Sequence, residues 1–175
     1  MMTWTRLITN FLKALQTANN RPELFMPQGS KHILRYSQTA PARTEELRHI
    51  REAVEREALN FGFDTETAFR LSLAVDEACA NIIEHAYRDR AGGSFSIEIF
   101  TQANMFVVTL TDSGKGFQPG PLPRLDVRKH VRAHHDGGLG LHIINLVMDA
   151  IDYAQTAEHT NMLRMVKYLN GSAQN

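Results

Sequence analysis

Glu77, Asn81 and His85 stand four residues apart in "LAVDEACANIIEHAYRD", residues 73–89. On an α-helix that spacing places the three side chains on one face. Apolar residues recur around them at helical spacing, which marks a face meant for burial. A carboxylate and an amide are costly to bury unless something pairs with them. Asn is also a poor helix former, so its place in mid-helix needs a cause. A carboxylate and an amide oxygen so arranged could hold Mg²⁺, which takes oxygen ligands and keeps several waters, or could orient a hydroxyl. A polar seam satisfied by backbone or solvent is the plainer account of the pair taken alone.

Two further patches carry chemistry. Asp112 ends the apolar stretch "MFVVTL" and opens "DSGKGF", with Gly114 and Gly116 at alternate positions. An aspartate at a strand end can accept a hydrogen bond from a ligand's amino group, and glycine allows a close backbone approach. An ordinary tight turn uses the same residue types. "DGGLGLHII", residues 136–144, runs a loop containing Gly138 and Gly140 straight into an apolar helix beginning near Leu139. The free N–H groups of such a helix start form an anion site. The pattern is not GxxxxGK[ST], so it is not a P-loop.

The elements that must position these patches follow from periodicity. "HILRYSQ" reads as a strand. A helix follows in "PARTEELRHIREAVEREALNFG", with Thr44 as expected N-cap and Gly62 as terminator. "DTETAFRLSLAVDEACANIIEHAYRDR" is a second helix, opened by Asp64 and Glu66 near the positive end of the helix dipole. "SFSIEIFTQ" and "MFVVTLTD" alternate as strands around "AN". "LGLHIINLVMDA" is a third helix, and "IDYAQTAEH" and "MLRMVKYL" close the chain as a hairpin around "TN". Hairpins dominate over parallel crossovers. The expected class is therefore α+β, a two-layer sandwich whose mixed, mainly antiparallel sheet is covered on one face by helices.

Composition sets outer bounds. The chain has 175 residues, 43% of them hydrophobic and 22% charged, which suits a single folded domain with a sizeable core. Its formal net charge is zero, so the overall field gives no cause for nonspecific nucleic-acid binding. The single cysteine, Cys79, lies in an apolar helical run and reads as a small buried hydrophobe, in keeping with a reducing cytoplasm. No apolar run approaches the ~20 residues of a membrane span. Residues 1–30 are expected to be an appendage, an amphipathic helix carrying Trp4, Leu7, Ile8, Phe11, Leu12 and Leu15 followed by a linker. Thr9, Asn10 and Lys13 interrupt its apolar run, so it does not read as a secretory leader.

Taken together, "EACANIIEHAY", "DSGKGF" and "GGLGL" resemble the N, G1 and G2 boxes of the GHKL ATPases, the superfamily of DNA gyrase and histidine-kinase nucleotide domains. The Glu four before the Asn and the His four after it resemble, more narrowly, the bacterial anti-sigma-factor serine-protein kinases. The C-terminal "MDAIDYAQTAEHTNMLRMVKYL" is similar to the hairpin of that subgroup. The resemblance covers residues 31–170, leaving 171–175 as a tail.

The resemblance implies a Bergerat-type fold with ATP between helices and sheet. It implies that Asp112 accepts from the adenine amino group and that Gly114 and Gly116 pass close to base and sugar. Gly138, Leu139 and Gly140 would serve the phosphates, and Asn81 would hold Mg²⁺, with His85 on the same cofactor-binding stripe. Glu77 would be the general base for a protein serine. Phe117–Asp136 would form a lid carrying Arg124, Arg128, Lys129 and Arg132, any of which could reach the γ-phosphate. Its His130, His134 and His135 lack a carboxylate or cysteine set at ligand spacing, so zinc is not expected. The implied partners are an anti-anti-sigma protein as substrate, a sigma factor to be sequestered, and a second copy in a homodimer. The competing accounts are a non-catalytic, nucleotide-dependent binding switch and a detached histidine-kinase ATPase domain.

Overall fold

The computed structural model describes residues 32–87, 92–115, 139–155 and 160–169. The expected appendage at 1–30, Gly116, the lid with its arginines, lysine and histidines, Gly138 and the tail lie outside the described residues.

The order is β1 (Ile33–Pro41), α1 (Leu47–Phe61), α2 (Thr65–Asn81), β2 (Ser94–Gln102), β3 (Met105–Asp112), α3 (Leu139–Val147), β4 (Ala150–Gln155) and β5 (Asn161–Tyr168). The strands form one sheet in the order β1-β2-β3-β5-β4. Every pairing is antiparallel, from Pro41↔Ser94 through Phe95↔Asp112 and Asp112↔Asn161 to Gln155↔Asn161. The α+β sandwich read from the sequence is thus present, with a sheet antiparallel throughout its described strands.

Period-2 alternation divides the sheet's side chains between two faces. Phe95, Ile97, Ile99, Phe106, Val108, Leu110 and Met165 join Ile50, Val54, Leu71, Val75 and Ile144 of the helices in the main core. Met105, Val107 and Val166 form a smaller cluster with Phe100, Ala150 and Tyr168. Each fully buried aliphatic or aromatic side chain contributes on the order of 1.5–3 kcal/mol. Phe61, Phe63 and Phe106 meet with ring centroids 5.6–5.8 Å apart and fasten the end of α1 to the sheet.

The helix ends explain where the sequence reading moves. Thr44 is not the N-cap expected of it. The chain enters α1 through a 3₁₀ turn, Thr44–Glu46, flanked by the extended Arg43, and no side chain caps it. Glu45 and Glu46 instead place negative charge in that first turn. Gly62 stops α1 in a left-handed conformation, φ 113°. Asp64 caps α2, its carboxylate accepting from the Thr67 N–H at 2.7 Å. The third helix ends at Val147 rather than Ala150, because Asp149 turns its N–H to the Val166 carbonyl (2.9 Å) and its carboxylate to Lys167 and the Tyr168 N–H. Asn161, expected in a turn, opens β5.

Candidate functional site

α2 carries the first patch. Glu77 and Asn81 are both partly buried, one turn apart near its C-terminal end. Neither side chain finds a hydrogen-bond partner among the described residues, so no internal polar seam accounts for them there. Burial raises the Glu77 carboxyl above the ordinary carboxylate range, and the nearby charges of Asp76 and then Glu84 add to the effect. Asp76 is itself raised by burial, with Arg51 of α1 opposing the shift across 3.6 Å. A carboxyl lifted this way is a stronger proton acceptor than a solvated one, as a general base requires.

Beyond Asn81 the helix widens. Ile82–Ala86 form a π turn, a feature found disproportionately at functional sites. His85 lies in it and is exposed.

The two glycine patches meet this helix at different heights. Gly140, second residue of α3, lies against Glu77. A Cβ built on it would collide with Glu77 Oε2 and stand 3.3 Å from Cδ. Gly114 lies against the end of the π turn, where a Cβ would come within 2.6 Å of both the Ala86 Cβ and the Ala86 carbonyl oxygen. The Lys115 N–H donates to that carbonyl at 3.0 Å. From Glu77 to Ala86 is nine residues, or roughly 13 Å along a helix axis. The first turn of α3 therefore faces the carboxylate at one end, the Asp112–Gly114 turn abuts the other, and Asn81 lies between.

Asp112 is buried, 8% exposed, at the end of β3. Its Oδ1 accepts from the Gly114 N–H at 2.8 Å and from Asn161 Nδ2 at 3.0 Å. Among the described residues Oδ2 takes no donor. Asn161 carries no motif in the sequence. It is 1% exposed, reaches the Gly114 carbonyl at 3.3 Å, and accepts through Oδ1 from Tyr153 Oη (3.1 Å) and Gln155 Nε2 (2.9 Å). Only the pairing Asp112↔Asn161 brings it there, 49 residues along the chain. The nearest sequence signal is a polar residue at the head of an otherwise apolar strand.

The structure thus brings together Glu77, Asn81, Asp112, Gly114 and Gly140, the last at the start of α3. Among the described residues no group of three or more His, Cys, Asp or Glu side chains is placed to hold a metal ion. An amide oxygen beside one carboxylate suits Mg²⁺ held mainly by phosphate and water, and does not suit a protein cage for zinc or calcium. No described helix is long and apolar enough to cross a membrane.

A helix bearing an acid and an amide, an Asp–Gly turn and a Gly-led helix start, on an antiparallel sheet, define a nucleotide-binding ATPase domain. Residues 40–167 match the Histidine kinase-like ATPase domain family, and the chain belongs to it. Its relatives include Serine-protein kinase RsbW of Bacillus thuringiensis (strain Al Hakam), 31% identical over 133 residues, 74% of this chain and 81% of the relative. Serine-protein kinase RsbW of Bacillus subtilis (strain 168) is 29% identical over 137 residues, 75% of this chain and 83% of that protein. In fold, the chain is similar to a chain of the SiaB-SiaC complex from Pseudomonas aeruginosa, with a TM-score of 0.56 at 16% identity over 92% of this chain and 99% of that one.

Proposed function

We propose that this protein is an ATP-dependent serine-protein kinase and anti-sigma factor. It phosphorylates a serine of an anti-anti-sigma protein and, according to nucleotide state, sequesters a sigma factor. The observation that carries the kinase half is the Gly140 backbone held against the raised Glu77 carboxyl, at the phosphate end of a cleft whose far end offers Asp112 Oδ2. The roughly 13 Å of helix axis from Glu77 to Ala86, where Gly114 abuts, suits a nucleoside triphosphate lying along α2. The name shared by the relatives supports the same reaction. The sigma-factor half rests on the resemblance in the Glu77, Asn81 and His85 spacing.

In this reading Asp112 Oδ2 accepts from the adenine amino group, with Oδ1 already fixed by Gly114 and Asn161. Gly114, and Gly116 beyond it, leave room for base and sugar. The first N–H groups of α3, from Leu139 and Gly140, with Gly138 before them, receive the phosphates. Asn81 would supply a side-chain oxygen to Mg²⁺, with His85 further along the same helix. When bound, the ion neutralises phosphate charge. Glu77 orients the substrate serine and takes its proton as the Oγ–P bond forms and the bond from the γ-phosphorus to the bridging oxygen breaks, leaving ADP. Phosphoryl transfer needs mainly positioning and charge stabilisation, which Glu77, Asn81 and the first N–H groups of α3 would supply here.

The test is incubation with γ-labelled ATP, Mg²⁺ and a candidate anti-anti-sigma protein. Label on a serine of that protein is the expected result. Nucleotide binding without transfer would favour a non-catalytic switch, and label appearing on histidine would favour a histidine-kinase ATPase domain.

A further inference from the structure

We propose that Tyr87 is a positioning residue for the nucleotide: its hydroxyl replaces the last rung between β2 and β3 and so sets the Asp112–Gly114 turn. This rests on the nucleotide reading of the cleft.

The β2–β3 ladder ends at Phe95↔Asp112, so the next pair in register is Ser94 and Ser113. They do not bond to each other directly. Tyr87 Oη lies between them, accepting from the Ser113 N–H at 3.1 Å and donating to the Ser94 carbonyl at 2.7 Å. A direct rung is ~2.9 Å long, and an oxygen inserted into it forces the two backbones apart. The sheet therefore splays where β3 gives way to the turn that aims Asp112. Both backbone groups stay satisfied, because one hydroxyl can donate and accept at once.

The ring that carries this hydroxyl is fixed in place. It lies on Gly93, where any Cβ would collide with Cγ, Cδ1 and Cε1 of Tyr87. Gly93 is pinned in turn, its carbonyl accepting from the Ala42 N–H at 2.8 Å. Tyr87 also follows directly on the π turn, whose Ala86 touches Gly114 and takes the Lys115 N–H. Three attachments thus tie the end of the catalytic helix to the Asp–Gly turn. The Tyr87 attachment hangs on one side-chain oxygen, and taking that oxygen away removes it. Loss of that oxygen loosens the turn on its β2 side and with it the aim of Asp112 Oδ2, while Glu77, ten residues earlier on the helix, keeps its surroundings.

Tyr87→Phe keeps the ring and removes the hydroxyl. With MgATP and the phospho-acceptor protein, the expected result is a dissociation constant raised about five- to tenfold, one hydrogen bond's worth. The turnover at saturating ATP stays within about twofold. Gly93→Ala, which must push the ring aside, is expected to weaken ATP binding similarly in the Tyr87 protein and to add little in the Tyr87→Phe background, as for two changes acting through one contact. An unchanged dissociation constant in Tyr87→Phe, a loss of turnover at unchanged affinity, or fully additive effects would overturn the proposal. If the wild type binds no ATP, it is the nucleotide reading that fails. The rung is then judged by amide exchange at Ser113 in the free protein: faster exchange in Tyr87→Phe upholds it, and equal exchange overturns it.

Discussion

Replacing Gly140 by alanine separates the fold from the chemistry. Gly140 is the second residue of α3 and has no positive φ, so alanine suits its backbone and gains roughly 0.5–1 kcal/mol of helix propensity. Its new Cβ lands on Glu77 Oε2 and stands 3.3 Å from Cδ and 3.4 Å from Cβ. The cheapest relief is rotation of the carboxylate, the flexible end of Glu77, out of its well at about 0.5–1.5 kcal/mol. The two effects nearly cancel, so stability should change by less than about 1 kcal/mol. The base, however, moves by the better part of an ångström, and a misplacement of ~1 Å costs on the order of 10²-fold in rate, or about 2.7 kcal/mol of barrier. Single-turnover transfer at saturating MgATP, alongside urea unfolding, reads both quantities. A variant that folds normally and transfers within threefold of wild type would refute the reasoning, since Glu77 would then not need the space that Gly140 leaves it.

Other substitutions test the remaining parts. Glu77→Gln should keep ATP binding and lose transfer by about 10²–10⁴-fold, the usual contribution of a general base. Because burial raises the folded-state pKa of Glu77, the stability that this group lends is present in acid and lost as pH rises through that pKa. Glu77→Gln should therefore be more stable than wild type at neutral pH in urea unfolding, with the gap closing toward about pH 4. Asn81→Ala should lose the Mg²⁺-dependent part of ATP affinity in calorimetric titrations with and without the ion, while adenosine binding is kept. Asn161→Ala removes one hydrogen bond each from Asp112, Tyr153 and Gln155. It should cost about 2–3 kcal/mol in urea unfolding and weaken ATP binding as well.

Period and punctuation made most of the fold legible. "SFSIEIFTQ" alternates through Phe95, Ile97 and Ile99, which reach the main core, whereas "MFVVTLTD" buries apolar residues on both faces of the sheet. Gly62 and Asp64 act as the helix stop and start that their residue types suggest. What the sequence hides is whatever depends on contacts between distant segments. The π turn at Ile82–Ala86 has no composition of its own and coincides with the docking of Ala86 against Gly114. Thr44 looks like a cap until Arg43 takes the extended position before a 3₁₀ turn. Asn161 and Tyr87 act at the Asp–Gly turn through strand register, which no local window of sequence contains. Glu77, Asn81, Asp112, Gly114 and Gly140 are legible as candidates because residue type and spacing together constrain them. Their juxtaposition across three elements needed the folded chain.

The most direct test is a crystal structure of the protein grown with Mg²⁺ and a non-hydrolysable ATP analogue. The account predicts the adenine amino group on Asp112 Oδ2, the phosphates at the start of α3 beside Gly140, and the metal on the Asn81 side-chain oxygen with Glu77 facing the γ-phosphate. A nucleotide bound elsewhere, or a cleft closed by the protein's own side chains at saturating analogue, would contradict it.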